Sequence, residues 1–372
     1  MSPKRLRALV LVMAVCAACW AAQAAGAAGH ARKGAGATGA RAAAGAAATS
    51  FGVTAWLPYW EFPAALSSTL NNSGQIGTAS PYWYDIYGDS HVHEEAGAGS
   101  RTVISELLAH HEQVLPMITE ASGFRQFSRI LADASKRTAL VRTLVKLASH
   151  PGYAGLDIDF ESFAYDPGHN VALENRLSVL YSQLIAQTCT ALHAIGRSCQ
   201  VAVMARTSSA HTYAHGDIPT WLYDYRALAA STDRIQVMAY DYHSPGGPSG
   251  PIAPLPWVRQ VIAYAAAQGP PSRFELGVPA YGYDWYGRTS AIAVYAGQVA
   301  TLLNEVHTRP HWSSTDGELT FSYREHHHRH TVWVVDARAD RERAAAASAA
   351  GFSGVAVWAA GYEQPQLWGG LR

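Results

Sequence analysis

The chain has 372 residues, enough for one large domain or two ordinary ones. Its 28 Lys and Arg balance 28 Asp and Glu, so nothing in the charge points to nucleic acid or an anionic membrane, and neither is expected as a partner. Aromatic usage favours rings with a polar edge, 19 Tyr and 11 Trp against 9 Phe, a balance that suits a sugar-binding cleft.

In chain order, residues 1–24 read as a secretory signal. Lys4, Arg5 and Arg7 give a basic start, Ala8 to Ala22 an apolar run, and Ala22-Gln23-Ala24 an A-x-A cleavage site. The run is shorter than the roughly 20 residues that span a bilayer, and no leucine-led lipobox precedes Cys16 or Cys19. The expectation is export to a secreted or periplasmic location, with no membrane contact in the mature form. Residues 25–50 are nearly all Ala and Gly and read as a disordered tether. The folded domain is expected over 51–372, as a monomer.

Strands are predicted at Val53–Trp60, Gln75–Tyr84 and Gln113–Thr119, then in the acidic run that ends at Glu161. Further strands are predicted at Gln200–Arg206, Arg234–Tyr242, Phe274–Tyr283 and Gly351–Trp358. Helical spacing marks Arg101–His110, Phe127–Ser149 and Asn170–Ala194, the last closed by Gly196. Eight strands alternating with helices over roughly 320 residues predict an α/β fold, a (β/α)₈ TIM barrel. Residues from about 291 to 342 do not fit one helix. Leu319–Tyr323 and Thr331–Asp336 flank a His-rich turn there, predicting a small α+β insertion between strands seven and eight.

The fourth strand carries the chemistry. In Gly155-Leu156-Asp157-Ile158-Asp159-Phe160-Glu161 acids alternate with apolar residues, so the three carboxylates share one strand face about 6.5–7 Å apart. Burying them side by side is costly unless a proton or a partner neutralises them. Acid–base chemistry or a metal is the usual reason for such a row. A metal site normally recruits further ligands from neighbouring strands, and no clear second source is visible. Barrel chemistry sits at the C-terminal strand ends, where Trp60, Tyr240, Tyr242, Tyr281 and Trp358 also collect. Once a signal is removed, Cys189 and Cys199 are the remaining cysteines. They are a candidate disulfide in an exported chain, or two free thiols.

These residues resemble glycoside hydrolase family 18. The family's D-G-x-D-x-D-x-E motif matches Ala154 to Glu161, its M-x-Y-D signature matches Met238-Ala239-Tyr240-Asp241, and its last-strand tryptophan matches Trp358. Within the family, Tyr240 to His243, Gly250 to Trp257, Leu276 to Trp285 and Gly361-Tyr362-Glu363 look most like the spore-type peptidoglycan hydrolases. Two departures stand out: Ala154 replaces the motif's first Asp, and the LysM wall-binding modules of that branch are absent from this sequence.

The resemblance implies retaining, substrate-assisted hydrolysis without a cofactor or metal, in which the sugar's 2-acetamido oxygen attacks the anomeric carbon. Glu161 is then the general acid and base. Asp159 and Asp157 support it, and Tyr240, Asp241 and Met238 line the acetamido pocket over Trp358. Trp60, Tyr242 and Tyr281 complete the substrate cleft. The expected partner is an N-acetylated polysaccharide or oligosaccharide, peptidoglycan first and chitin second. The competing expectation is a lectin-like barrel that binds glycan without cleaving it.

Overall fold

In the computed structural model, which describes residues 51–165, 168–211, 213–214 and 218–371, the core is a closed barrel of eight parallel strands wrapped by helices. The expected signal and tether fall outside the described residues. The strands are β1 Gly52–Leu57, β2 Thr78–Tyr87, β3 Met117–Glu120, β4 Gly155–Asp159, β5 Ser198–Met204, β6 Arg234–Met238, β7 Phe274–Pro279 and β8 Gly354–Trp358. Each pairs in parallel with the next, and β1 closes the ring by pairing with both β2 and β8. Closure leaves no unpaired edge, and buried Val, Ile and Leu side chains fill the space between strands and helices.

Several predicted strands run past the real ends. β1 stops at Leu57, and Tyr59–Glu61 form a single 3₁₀ turn; β6 stops at Met238 and β5 at Met204. β7 stops at Pro279, after which Tyr281–Trp285 joins a different sheet. After β1, β6 and β7 aromatic residues continue the apolar pattern although the chain has already turned. The helix expected at Phe127–Ser149 is two, Phe124–Ala132 and Ala134–Ala148. They part at Asp133, whose carboxylate accepts from the Ser135 and Lys136 amides and caps the second.

Between β7 and β8 a five-stranded antiparallel sheet is built from Tyr281–Trp285, Ala291–Tyr295, His311–Ser313, Glu318–Glu325 and His328–Val334. It starts ten residues earlier than the pattern at 291 suggested, and the helix Ala337–Ala349 that follows packs on β7 and β8. Arg343 of that helix is fully buried and ion-paired to Glu318 at 3.3 Å. Glu318 also accepts from the Ile252 and Ala253 amides at 3.0 and 2.7 Å, tying the sheet to the loop after β6.

Candidate active site

The inward face of β4 sets the site. Asp157 is fully buried, level with Met117 of β3 and Gln200 of β5. Its Oδ2 accepts from Trp56 Nε1 at 2.8 Å and from Ser80 Oγ at 2.7 Å. The Gln236 amide nitrogen, turned toward it, donates to Oδ1 at 2.7 Å. The same amide has weaker partners in Gln200 and Glu275, each at 3.4 Å, so the shorter contacts decide its orientation. Burial, with the charge of Glu275 adding, lifts Asp157 to about 6 against the pull of these donors. Sequence reading missed Trp56, Ser80 and Gln236, which come from three other strands. A signal existed: Gln236 sits inside the apolar run Ile235-Gln236-Val237, and a buried amide demands a partner.

Asp159, one step higher, is 8% exposed, and its Oδ1 has no hydrogen-bond partner among the described residues. Burial first, then the charges of Glu161 and Asp157, push it well above the usual carboxylate range. Glu161 does not close the strand, as the alternation suggested. β4 ends at Asp159, and Glu161 leads into the 3₁₀ turn Ser162–Ala164. Burial, and after it the charge of Asp241, holds Glu161 at about 7. Ala154 lies just before β4, its amide bonded to Val114 O at 2.8 Å. Its missing carboxylate is therefore at the opposite end from this chemistry.

β6 delivers the second half of the site from the loop beyond its end. Tyr240 packs with Trp56, Met117, Ala202 and Ala356 at the core of the barrel, together with Met238, Tyr82 and Trp358. Gly277 gives it room: a Cβ there would lie 3.2 Å from the Tyr240 ring and 2.8 Å from Val237 O. Asp241 takes a left-handed backbone, φ 59°, a conformation uncommon for non-glycine residues that Asp tolerates better than most. Its Oδ1 accepts from Tyr281 Oη at 2.6 Å and Tyr283 Oη at 3.0 Å. Burial raises its pKa and the two tyrosines oppose the rise. Tyr281 and Tyr283, both expected near the end of a barrel strand among the aromatics gathered there, therefore meet Asp241 from the inserted sheet.

Trp358 ends β8 with its ring edge-on to Trp56 at 6.0 Å and tilted to Trp60 at 6.1 Å; the Trp358–Ala359 peptide is cis. Tyr242 is 45% exposed and packs on His243 and Trp257, which places it on the rim rather than among the acids. Cys189, on the helix Val171–Ala194, and Cys199, on β5, are joined by a disulfide on the outside of the barrel wall. Among the described residues no group of three or more His, Cys, Asp or Glu is arranged to hold a metal ion.

A carboxyl raised to about 7 beside further crowded carboxyls, at the C-terminal end of a barrel strand, is the kind of arrangement glycosidases use. The protein is a glycoside hydrolase. The family model for glycosyl hydrolases family 18 matches residues 99–363, and the chain belongs to that family.

It is 28% identical over 249 residues to the uncharacterized glycosylase YvbX of Bacillus subtilis, a match covering 66% of this chain and 68% of YvbX. It is 26% identical over 247 residues to that species' cortical fragment-lytic enzyme, covering 64% of this chain and 54% of the relative. With the putative sporulation-specific glycosylase YdhD of B. subtilis it shares 36% identity over 159 residues, 42% of this chain and 34% of YdhD. The chain thus spans only about half and a third of the last two. A chitinase from Chromobacterium violaceum superposes with a TM-score of 0.76 at 25% identity, over 87% of this chain and 98% of the other. The Bacillus cereus spore cortex-lytic enzyme SleL gives 0.74 at 22% identity, over 88% and 74%, a likeness of fold.

Proposed function

We propose that this hydrolase is exported and cleaves β-1,4 bonds next to N-acetylglucosamine with retention, taking peptidoglycan first and chitin second. The observation that supports this most is Glu161, held near pH 7 at the mouth beside an Asp159 whose Oδ1 is unpartnered. A group titrating there is protonated often enough to donate and ionised often enough to accept.

In the proposed reaction Glu161 protonates the glycosidic oxygen as the C1–O bond breaks. The substrate's acetamido oxygen forms a bond to C1, giving a cyclic oxazolinium. Asp159, through its unpartnered oxygen, accepts from the acetamide N–H, and Asp157, by sharing its proton, lets negative charge build on the pair as the oxazolinium forms. Tyr240 and Asp241 orient the acetamido group over the Trp358 ring. Water, deprotonated by Glu161, then opens the intermediate from the same face as the original bond and restores the acid.

The test is product release from purified peptidoglycan and from chitin oligosaccharides, followed by mass spectrometry with and without a thiazoline that mimics the oxazoline. Cleavage blocked by the thiazoline supports the reading, and the product masses name the bond. Binding without cleavage of either glycan overturns it in favour of a lectin-like role.

A further inference from the structure

We infer that Tyr362 is a positioning residue that links the inserted sheet to the sugar-binding edge of the cleft; the inference rests on the glycan reading above. Trp60 is part-buried on the 3₁₀ turn after β1, with its ring against Tyr59 at 4.9 Å, Tyr82 at 5.9 Å and Trp358 at 6.1 Å. Edge and tilted ring contacts favour this packing, but a hydrogen bond to the indole N–H adds a directional constraint that they lack. Its one polar atom fixes the tilt: Trp60 Nε1 donates to Tyr362 Oη at 2.7 Å.

Tyr362 is itself clamped. It is 2% exposed, its amide bonds Ala359 O at 3.1 Å, and its carbonyl accepts from the Gly297 amide at 2.8 Å. Its ring lies flat on Tyr295 of the inserted sheet, with centroids 3.7 Å apart and planes 10° from parallel. At Gly297 the inserted backbone comes so close that a Cβ would lie 2.7 Å from Glu363 O. A continuous path of contacts therefore runs Tyr295–Tyr362–Trp60–Trp358, from the insertion to the reaction floor. Tyr362, the buried middle of this path, acts on substrate only through Trp60. With its ring centred 6.1 Å to one side of the Trp358 ring, Trp60 is set to face the sugar next to the one being cleaved; by fixing that face Tyr362 favours long substrates over short ones.

The test measures kcat and KM for Tyr362→Phe, Trp60→Phe and the double variant, on a short and a long oligosaccharide of the glycan that the wild type cleaves. Tyr362→Phe keeps the ring stack and loses the acceptor for Trp60 together with the hydroxyl's hydrogen bond to Tyr295. On the long substrate its KM should rise about three- to tenfold, the scale of one lost hydrogen bond to a buried donor, with kcat within twofold. Both constants should hold on the short one. The double variant should be no worse than Trp60→Phe, since the acceptor has nothing to hold once the indole is gone. Tyr295→Ala should raise KM on the long substrate in the same direction.

An unchanged KM for Tyr362→Phe, an equal fall of kcat on both lengths, or additive effects in the double variant would overturn the inference. If the wild type cleaves neither glycan, the functional reading fails separately. The relay is then tested by calorimetric Kd values for long and short N-acetylglucosamine oligosaccharides, with the same pattern expected.

Discussion

Two glutamates of this barrel are held at the same place on the pH scale by different surroundings. Glu161 at the mouth and Glu318 under the insertion both stand at about 7, and burial is the leading cause for each. Glu318 is opposed by a buried guanidinium and two backbone amides that favour its charge. Glu161 has Asp241 adding repulsion instead. Among the described residues no hydrogen-bond donor holds its carboxylate. Desolvation alone therefore does not mark a working acid. Neither does a lack of donors, since buried Glu112 stands at about 8 with both carboxylate oxygens unpartnered among the described residues. What sets Glu161 apart is its place beside Asp159 and Asp241. Glu318 is tied into a structural joint, while Glu161 lacks such ties, as its proposed exchange of a proton with substrate requires.

The sharpest way to break this distinction is to replace each acid. Glu161→Gln should lower kcat by about 10³-fold or more, consistent with the 10²–10⁴ typical of a positioned acid–base group, with glycan binding retained. Steady-state kinetics with calorimetric binding reads both, and a rate near wild type would remove Glu161 from the mechanism. Glu318→Ala should leave kcat per folded molecule within a few fold. It strands the buried Arg343, and breaking a buried pair from one side costs about 3–5 kcal/mol. Denaturant unfolding measures this, and an undisturbed midpoint would show that the joint carries no stability.

The two acids also differ in how legible they were. The alternation Asp157-Ile158-Asp159-Phe160-Glu161 marked a buried acidic strand as the candidate site, because an acidic period-two pattern inside a parallel barrel has few structural uses. That Glu161 lies beyond the strand end was hidden, because the alternation runs on smoothly while hydrogen bonding stops. Nothing near Glu318 or Arg343 in sequence signals their pairing across 25 residues, since it depends on how the insertion folds back. Tyr281 and Tyr283 were visible as part of an aromatic cluster. Their shared grip on Asp241 was not, because the chain changes sheets at Ala280, between Pro279 and Tyr281. Composition and period set the barrel and its acidic strand; only the fold sets which groups face an acid.

Stability should respond to the two glutamates with opposite signs. A folded pKa of about 7 against the ordinary 4.5 means that the native state binds more protons between those values. Wild-type stability therefore falls as pH rises through that window. Glu161→Gln escapes the loss. It should be more stable than wild type by about 1–3 kcal/mol at pH 8, discounted from about 1.4 kcal/mol per unit for partial exposure, and equal to it at pH 4. Glu318 has the same linkage, but its amide replacement turns N–H groups toward Arg343 and the Ile252 and Ala253 amides. Glu318→Gln should therefore be destabilised at both pH values. Thermal melts at pH 4 and 8 decide it; a Glu161→Gln variant less stable than wild type at pH 8 would mean that Glu161 has a stabilising partner after all.

The smallest effect tests the repulsion itself. Glu161 must be protonated to donate, so kcat should fall as pH rises through about 7. Asp241→Asn keeps an oxygen for Tyr281 and Tyr283 and removes the charge that hinders ionisation of Glu161. Glu161 then gives up its proton more readily, and the alkaline limb should move to lower pH by up to about one unit, beside some loss of rate. It should not fall to an ordinary glutamate value, because burial, the larger cause, remains. Glu318→Gln should leave the limb where it is. A limb that stays near 7 in Asp241→Asn would mean that burial alone poises Glu161. The two glutamates would then differ in the donors that hold Glu318 ionised, and not in any charge set against Glu161.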